Sequence, residues 1–64
     1  MNKERIIQHL ENLSHKYKTE IAFLEQLKKK PTNLLHQNEI DININFYSSE
    51  IKDIEKNIRA LESI

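Results

Sequence analysis

The sequence lacks cysteine and glycine altogether, and its 64 residues include a single proline, Pro31. Without cysteine the chain can form no disulfide, no thiolate metal site and no cysteine nucleophile. Without glycine, turns that need a positive φ would have to be built from asparagine or aspartate. A β-sheet protein with many turns is therefore disfavoured, and an all-α chain with one connection fits the composition.

Strong net charge and long apolar runs are also missing. Ten basic and ten acidic side chains balance, so the overall charge predicts no strong attraction to nucleic acids or anionic membranes. No apolar run approaches the roughly 20 residues of a membrane-spanning helix, and the first residues are not typical of a signal peptide. We expect a cytoplasmic protein without a membrane partner.

Apolar residues recur along the chain with alternating spacings of four and three, which is typical of helices packed along a coiled-coil seam. The first series has one polar member, Glu20, with Ile21 beside it, and the second series is unbroken. The predicted hairpin seam consists of Ile6, Leu10, Leu13, Tyr17, Leu24 and Leu27 in the first half, and Ile40, Ile44, Tyr47, Ile51, Ile54, Ile58 and Leu61 in the second.

A short connection separates the two series. The lysine run 28–30 would stabilise the end of a first helix of about residues 3–30 through the helix dipole, and Pro31 cannot continue that helix. Thr32 and Asn33 are candidate N-caps for a second helix, as is Asn38. The turn therefore covers about residues 31–34 or 31–38, and the second helix extends to about residue 63.

So short a turn makes the two helices antiparallel neighbours. Facing residues in such a hairpin have numbers with a constant sum, and the two seams pair at a sum of 64, as in Tyr17 with Tyr47 and Leu13 with Ile51. The sequence predicts one all-α domain, residues 1–64, that forms a two-helix antiparallel coiled-coil hairpin.

Residues 39–47, EIDININFY, allow a second interpretation. Ile40, Ile42, Ile44 and Phe46 alternate as in a half-buried β-strand. The helical interpretation is favoured because Ile40, Ile44 and Tyr47 continue a seam downstream, whereas no other segment alternates and could pair with a strand.

Several apolar residues lie beside the seams and cannot be buried by two helices alone. Exposed stripes of this kind often mark association surfaces. We expect hairpins to pair into a four-helix bundle, most simply a twofold homodimer, although the same surface could bind a different, larger protein. The predicted interaction surface is Ile7, Ile21, Phe23, Ile42 and Phe46.

The two halves of the chain carry opposite net charge. Residues 1–30 contain seven basic and four acidic side chains, and residues 31–64 contain three basic and six acidic ones. Opposite charge favours pairing of the two helices within one chain or between copies.

No pattern in the sequence indicates catalysis. His9, His15 and His36 are not spaced as a metal-binding pair on one helical face, and no serine has an obvious neighbouring base. We predict a non-enzymatic protein with no catalytic residues, no metal site and no cofactor.

One segment resembles a known enzyme family. Gln37-Asn38-Glu39-Ile40-Asp41, followed by Ile44 and Tyr47, is similar to the Ser-Gln-Glu-Leu-Asp motif of the small aspartyl-phosphate phosphatases of sporulating bacilli, which are two-helix proteins. The resemblance covers Glu39 and Asp41 and departs at Gln37 and Asn38, and the glycine-containing loop usual in that family is absent. It implies that Glu39 and Asp41 would act near the aspartyl phosphate of a response regulator.

The other alternative function is binding of RNA or DNA. The first helix is mildly basic and ends in the lysine run 28–30, and in length and architecture the hairpin is similar to the plasmid protein Rop, which binds RNA. No residue motif supports this comparison. The preferred prediction is a small regulator, inhibitor or assembly factor that works through protein–protein interaction.

Overall fold

The computed structural model describes residues 2–30 and 34–64, which form two helices, α1 (Lys3–Lys29) and α2 (Leu34–Glu62), packed against each other. The all-α prediction is therefore confirmed. The segment EIDININFY lies entirely within α2, so the strand interpretation is wrong. In the described residues, neither helix has a stretch long and apolar enough to cross a membrane.

The ends of α1 are capped as helix termini require. The side-chain oxygen of Asn2 accepts hydrogen bonds from the backbone N–H groups of Glu4 at 3.1 Å and Arg5 at 3.4 Å. At the other end, Lys30 leaves the helix in an extended conformation, and its N–H donates to the Leu27 carbonyl at 3.2 Å. The basic side chains of Lys28 and Lys29 lie in the last turn of α1, where the helix dipole favours them.

The start of α2 distinguishes between the two predicted turns, residues 31–34 and residues 31–38. The helix begins at Leu34, so Asn38 already lies inside it rather than at its N-cap. Pro31, Thr32 and Asn33, which are predicted to end the first helix and cap the second, lie outside the described residues.

The hairpin is long and thin, with Cα extents of 48 × 14 × 13 Å. In one seam layer the rings of Tyr17 and Tyr47 pack with their centroids 5.1 Å apart, as the antiparallel register requires. At the open end, the Lys3 Nζ donates a hydrogen bond to the Ile64 carbonyl at 3.4 Å. The two helices therefore run side by side over their whole length.

Burial along the seam is shallow. All thirteen predicted seam residues are buried or half-buried, but only Ile40, Ile51 and Ile54 are 9% exposed or less among the described apolar side chains. Two helices can cover only one stripe of each other, and the remaining faces stay in solvent. The core is accordingly a single row of side chains.

The line of contact on α1 is displaced to one side of the predicted seam. Glu20 occupies a seam position yet is exposed, whereas Ser14, beside the seam, is 6% exposed. Ile21 is half-buried on the same side as Ser14. A carboxylate is costly to bury without a partner, so α1 presents its Ser14 and Ile21 side to α2 instead.

In the part of the chain that the structure describes, two cross-helix ion pairs define this side of the hairpin. The Lys28 Nζ lies 2.6 Å from the Asp41 Oδ1, and the Lys18 Nζ lies 3.7 Å from the Glu55 Oε1. Ile7, Ser14, Ile21 and Lys28 follow one another at seven-residue intervals and therefore share one side of α1. We call this side the ion-pair flank; it comprises Ile7, Ser14, Lys18, Ile21 and Lys28 of α1 and Asp41 and Glu55 of α2.

The other side of the seam carries the phenylalanines. Phe23 is two residues from Ile21, which is about 200° around a helix, so it lies across the seam from the ion-pair flank. Phe46 is five residues from Asp41, about 140° around α2, and also lies across the seam. The Lys28–Asp41 contact joins the ion-pair side of α1 to the ion-pair side of α2. The side of α1 that carries Phe23 must therefore adjoin the side of α2 that carries Phe46. We call this side the phenylalanine flank, defined by Phe23 and Phe46. Ile42 is about 40° from Phe46 and about 200° from both Ile40 and Ile44, so it lies beside this flank on the face of α2 turned away from α1.

Candidate interaction surface

Three large apolar side chains on and beside the phenylalanine flank are mostly in solvent. Phe23 is 57% exposed, Ile42 is 66% exposed and Phe46 is 54% exposed. Ile42 and Phe46 are four residues apart and therefore neighbours on α2. The Phe46 ring also approaches Tyr47, with centroids 5.6 Å apart, so the exposed patch is continuous with the aromatic layer of the seam.

The five residues predicted as one interaction surface divide between the two flanks. Phe23, Ile42 and Phe46, which we call the phenylalanine patch, are exposed on the phenylalanine flank and the adjoining outer face of α2. Ile7 and Ile21 lie on the ion-pair flank and are half-buried. Ile7 and Ile21 contribute to the contact between α1 and α2, and they are not part of the same surface as the phenylalanines.

Basic side chains accompany the patch on α1. His9, Lys16 and Lys30 are spaced by multiples of seven from Phe23 and share its side of the helix, and all three are exposed. Of the four acidic residues of α1, Glu4, Glu11 and Glu25 lie on the opposite side, and Glu20 lies in the seam next to the patch. The α1 part of the phenylalanine flank is therefore predominantly basic.

Acidic side chains accompany the patch on α2. Glu39 and Asp53 are each seven residues from Phe46, and Glu50 is seven residues from Asn43 on the same side. Glu39 and Asp53 are exposed, and Glu50 is half-buried. The basic residues Lys52 and Arg59 lie on the other side of α2, and Lys56 shares the outer face of α2 with Ile42, fourteen residues away. The phenylalanine flank thus has one basic and one acidic edge with apolar residues between them.

Both ion pairs found among the described residues lie on the ion-pair flank. Lys16 and Glu50, at similar heights on the phenylalanine flank, form no such pair with any described residue of the hairpin.

Among the described residues, an open groove lies beside the seam on each flank. A groove of about 260 Å³ on the phenylalanine flank, near the turn, is lined by Leu27, His36, Glu39, Ile40 and Asn43. A more polar groove of about 220 Å³ on the ion-pair flank is lined by Glu11, Ser14, His15, Lys18, Glu55 and Ile58. The first extends the phenylalanine patch toward the turn.

The histidines do not converge on a common centre. His9, His15 and His36 are all exposed, and His15 and His36 line grooves on opposite flanks. Within residues 2–30 and 34–64, no group of three or more histidine and acidic side chains is placed to hold a metal ion.

The residues that resemble the phosphatase motif are held apart. Glu39 and Asp41, two residues apart, point to opposite flanks of α2. Asp41 contacts Lys28 at 2.6 Å, and Glu39 borders the groove on the phenylalanine flank. Glu39 and Asp41 therefore do not face a common position at which both could contact one phosphoryl group.

The lysine run is likewise divided. Lys28 turns toward Asp41 across the hairpin, while Lys29 and Lys30 are exposed near the turn. The end of α1 therefore presents two free lysines rather than the predicted three, within the residues that the structure describes.

Sequence reasoning missed Ser14, which is the most buried polar side chain described. Its signal was the seven-residue spacing from Ile7 to Ser14 to Ile21, which places a small residue in the middle of an apolar stripe. A small side chain there allows α2 to approach α1 closely.

Comparison of the chain with protein-family models, with curated proteins and with solved structures finds no match.

Proposed function

We propose that this protein acts without catalysis, through protein–protein contacts. It self-associates as a helical bundle, most simply a homodimer, and regulates, inhibits or helps to assemble a larger protein. The observation that carries this proposal is the phenylalanine patch, in which three large apolar side chains on and beside one flank are more than half exposed. Exposed apolar side chains grouped in this way are typical of interaction sites.

The thin core supports the same proposal. A chain of 64 residues buries a smaller fraction of its surface on folding than a larger domain does, and association is one way in which small domains gain stability. Aromatic side chains are enriched in the energetically dominant parts of interfaces. Phe23 and Phe46 therefore supply the residue type and the exposure that a partner would cover.

Self-association is tested by measuring molar mass with light scattering during size-exclusion chromatography. Wild-type protein is expected to elute at about twice the 7.7 kDa chain mass. Phe46→Asp should elute as a monomer because a carboxylate in the interface would lose its hydration. Ile64→Asp is the matched control, since Ile64 is 87% exposed and lies at the chain end away from the patch. A wild-type monomer at high concentration would contradict self-association.

Binding of a larger partner is tested by comparing baits rather than by capture alone. Proteins from the source cell that bind wild type and the Ile64→Asp control, but not Phe23→Asp, would depend on the patch. Equal recovery with all three baits would show that the patch binds no larger protein.

A further inference from the structure

We propose that two copies pair face to face through the phenylalanine flank with both turns at the same end of the dimer. In this arrangement α1 of each copy packs against α2 of the other. The inference rests on the proposed self-association and adds the interface and the orientation. It follows from the position of the apolar patch and from the charges on either side of it.

The patch is off-centre along the hairpin. The midpoint of α1 is Lys16, and Phe23 lies seven residues, or about 10 Å, closer to the turn. Ile42 and Phe46 likewise lie in the half of α2 nearer the turn. With both turns at one end, the patches of two copies are level. With the turns at opposite ends, full overlap of the helices would separate the two Phe23 residues by about 21 Å along the helix axis and the two Ile42 residues by about 18 Å. The two Phe46 residues, which lie near the midpoint of α2, would be separated by only about 6 Å.

Twofold symmetry leaves two orientations for pairing through one flank, because each copy must present the same surface to the other. A twofold axis parallel to the helices keeps the turns together and sets α1 against α2 of the second copy, so that all neighbouring helices are antiparallel. A twofold axis across the helices places the turns at opposite ends and sets α1 against α1.

The charges favour the first orientation. On this flank α1 presents Lys16 and Lys30, and α2 presents Glu39, Glu50 and Asp53. Setting α1 against α2 brings the basic edge of one copy to the acidic edge of the other, twice in each dimer. Setting α1 against α1 brings like charges together, which opposes association.

Lys16 and Glu50 provide the clearest example. Their numbers add to nearly 64, so they lie at similar heights in the hairpin, and same-end pairing keeps Lys16 of one copy level with Glu50 of the next. Lys16 is exposed, Glu50 is half-buried, and neither takes part in the ion pairs of the described hairpin. Both sides of the match come from one flank, so a second copy of this chain is the partner that fits it.

The orientation is measured by electron–electron distance spectroscopy on spin-labelled protein. The chain has no cysteine, so Lys29→Cys labels the turn end alone and Ser63→Cys labels the open end alone. Both positions are exposed. Lys29 projects away from the phenylalanine flank, and Ser63 follows the end of α2. Dilution with unlabelled protein should reduce the signal, because each distance joins two chains.

Same-end pairing predicts that two labels at residue 29 lie within about three interhelical spacings of about 10 Å. A mixture of chains labelled at 29 with chains labelled at 63 should then give a distance close to the 48 Å length of the hairpin. The reverse result, a long 29-to-29 and a short 29-to-63 distance, would overturn the orientation while leaving self-association intact. No distance between chains, with a monomer mass, would overturn both proposals.

Discussion

The two flanks of the hairpin differ in how far their side chains are buried or paired within the chain. On the ion-pair flank Ser14 is 6% exposed, Ile21 is half-buried, and Lys28 contacts Asp41 at 2.6 Å. On the phenylalanine flank, Phe23 and Phe46 are each more than half exposed. On the ion-pair flank, apolar and charged side chains are buried or paired within the chain. On the phenylalanine flank, large apolar side chains are exposed, and charged side chains form no ion pair with the described residues.

A single polar residue in the seam accounts for much of this difference. Glu20 interrupts the apolar series of α1, and burying its carboxylate without a partner would be costly. Contact with α2 shifts toward Ile21 and Ser14 instead, which carries Phe23 farther from α2 on the opposite side. The exposure of Phe23 is thus a consequence of how the hairpin closes on its other flank.

The strongest test of the comparison replaces two residues that are close in sequence but lie on opposite flanks. Ile21→Asp should lower the free energy of unfolding by about 2 kcal/mol, because it removes apolar burial and places a charge against α2. Phe23→Asp should change the unfolding free energy of the monomer by no more than about 0.5 kcal/mol. Urea denaturation followed by circular dichroism, at concentrations low enough to dissociate oligomers, measures both.

Self-association should show the opposite order. At high concentration, Phe23→Asp is expected to be monomeric, while the fraction of Ile21→Asp that stays folded should still form dimers. If the two substitutions destabilised the monomer equally, the flanks would not differ in the way that their exposure indicates.

A second, smaller effect concerns the charges of the phenylalanine flank. Lys16→Glu and Glu50→Lys should each weaken dimerisation by about tenfold, because each change makes two attractive contacts per dimer repulsive. Mixing the two variants should restore wild-type affinity, since the carboxylate introduced in one variant then faces the ammonium group introduced in the other. Sedimentation equilibrium of each variant and of the equimolar mixture provides the affinities.

The mixture also tests the orientation of the two copies. Contacts within one hairpin are unchanged by mixing, so any recovery reports contacts between chains. A mixture that associates more tightly than wild type would indicate α1 against α1, because wild type would then hold like charges together. If the mixture dimerised with no higher affinity than either variant alone, Lys16 and Glu50 would not lie in the dimer interface.

The hairpin itself could be predicted because its signals are local. Spacings of three and four mark one face of a helix whatever the rest of the chain does, and they are sufficient to place both helices and the Tyr17–Tyr47 layer. The seam could not show the displacement toward Ser14. That displacement depends on side-chain size and on the cost of burying Glu20, and both are decided only when two helices meet.

The proposed interaction surface is harder to predict for a similar reason. The spacing identifies the apolar residues outside the seam, but the prediction groups Ile7 and Ile21 with the phenylalanines. Helical geometry alone separates Ile21 from Phe23, since residues two apart project to opposite sides. Matching a side of α1 with a side of α2 requires a contact between the helices, and the Lys28–Asp41 pair supplies it.

The smallest expected effect tests whether the ion-pair flank is held by its charges or by its packing. The side chains of Lys28 and Asp41 are each 47% exposed, so a double-mutant cycle of Lys28→Ala and Asp41→Ala should give a coupling energy of about 0.2–1 kcal/mol. The same cycle on Lys18 and Glu55, which are 3.7 Å apart, should give less. Both couplings should diminish in 1 M salt, where the Debye length falls to about 3 Å. A coupling well above this range that persists in salt would mean that charge closes the flank, whereas a small one leaves Ser14 and Ile21 as the residues that do so.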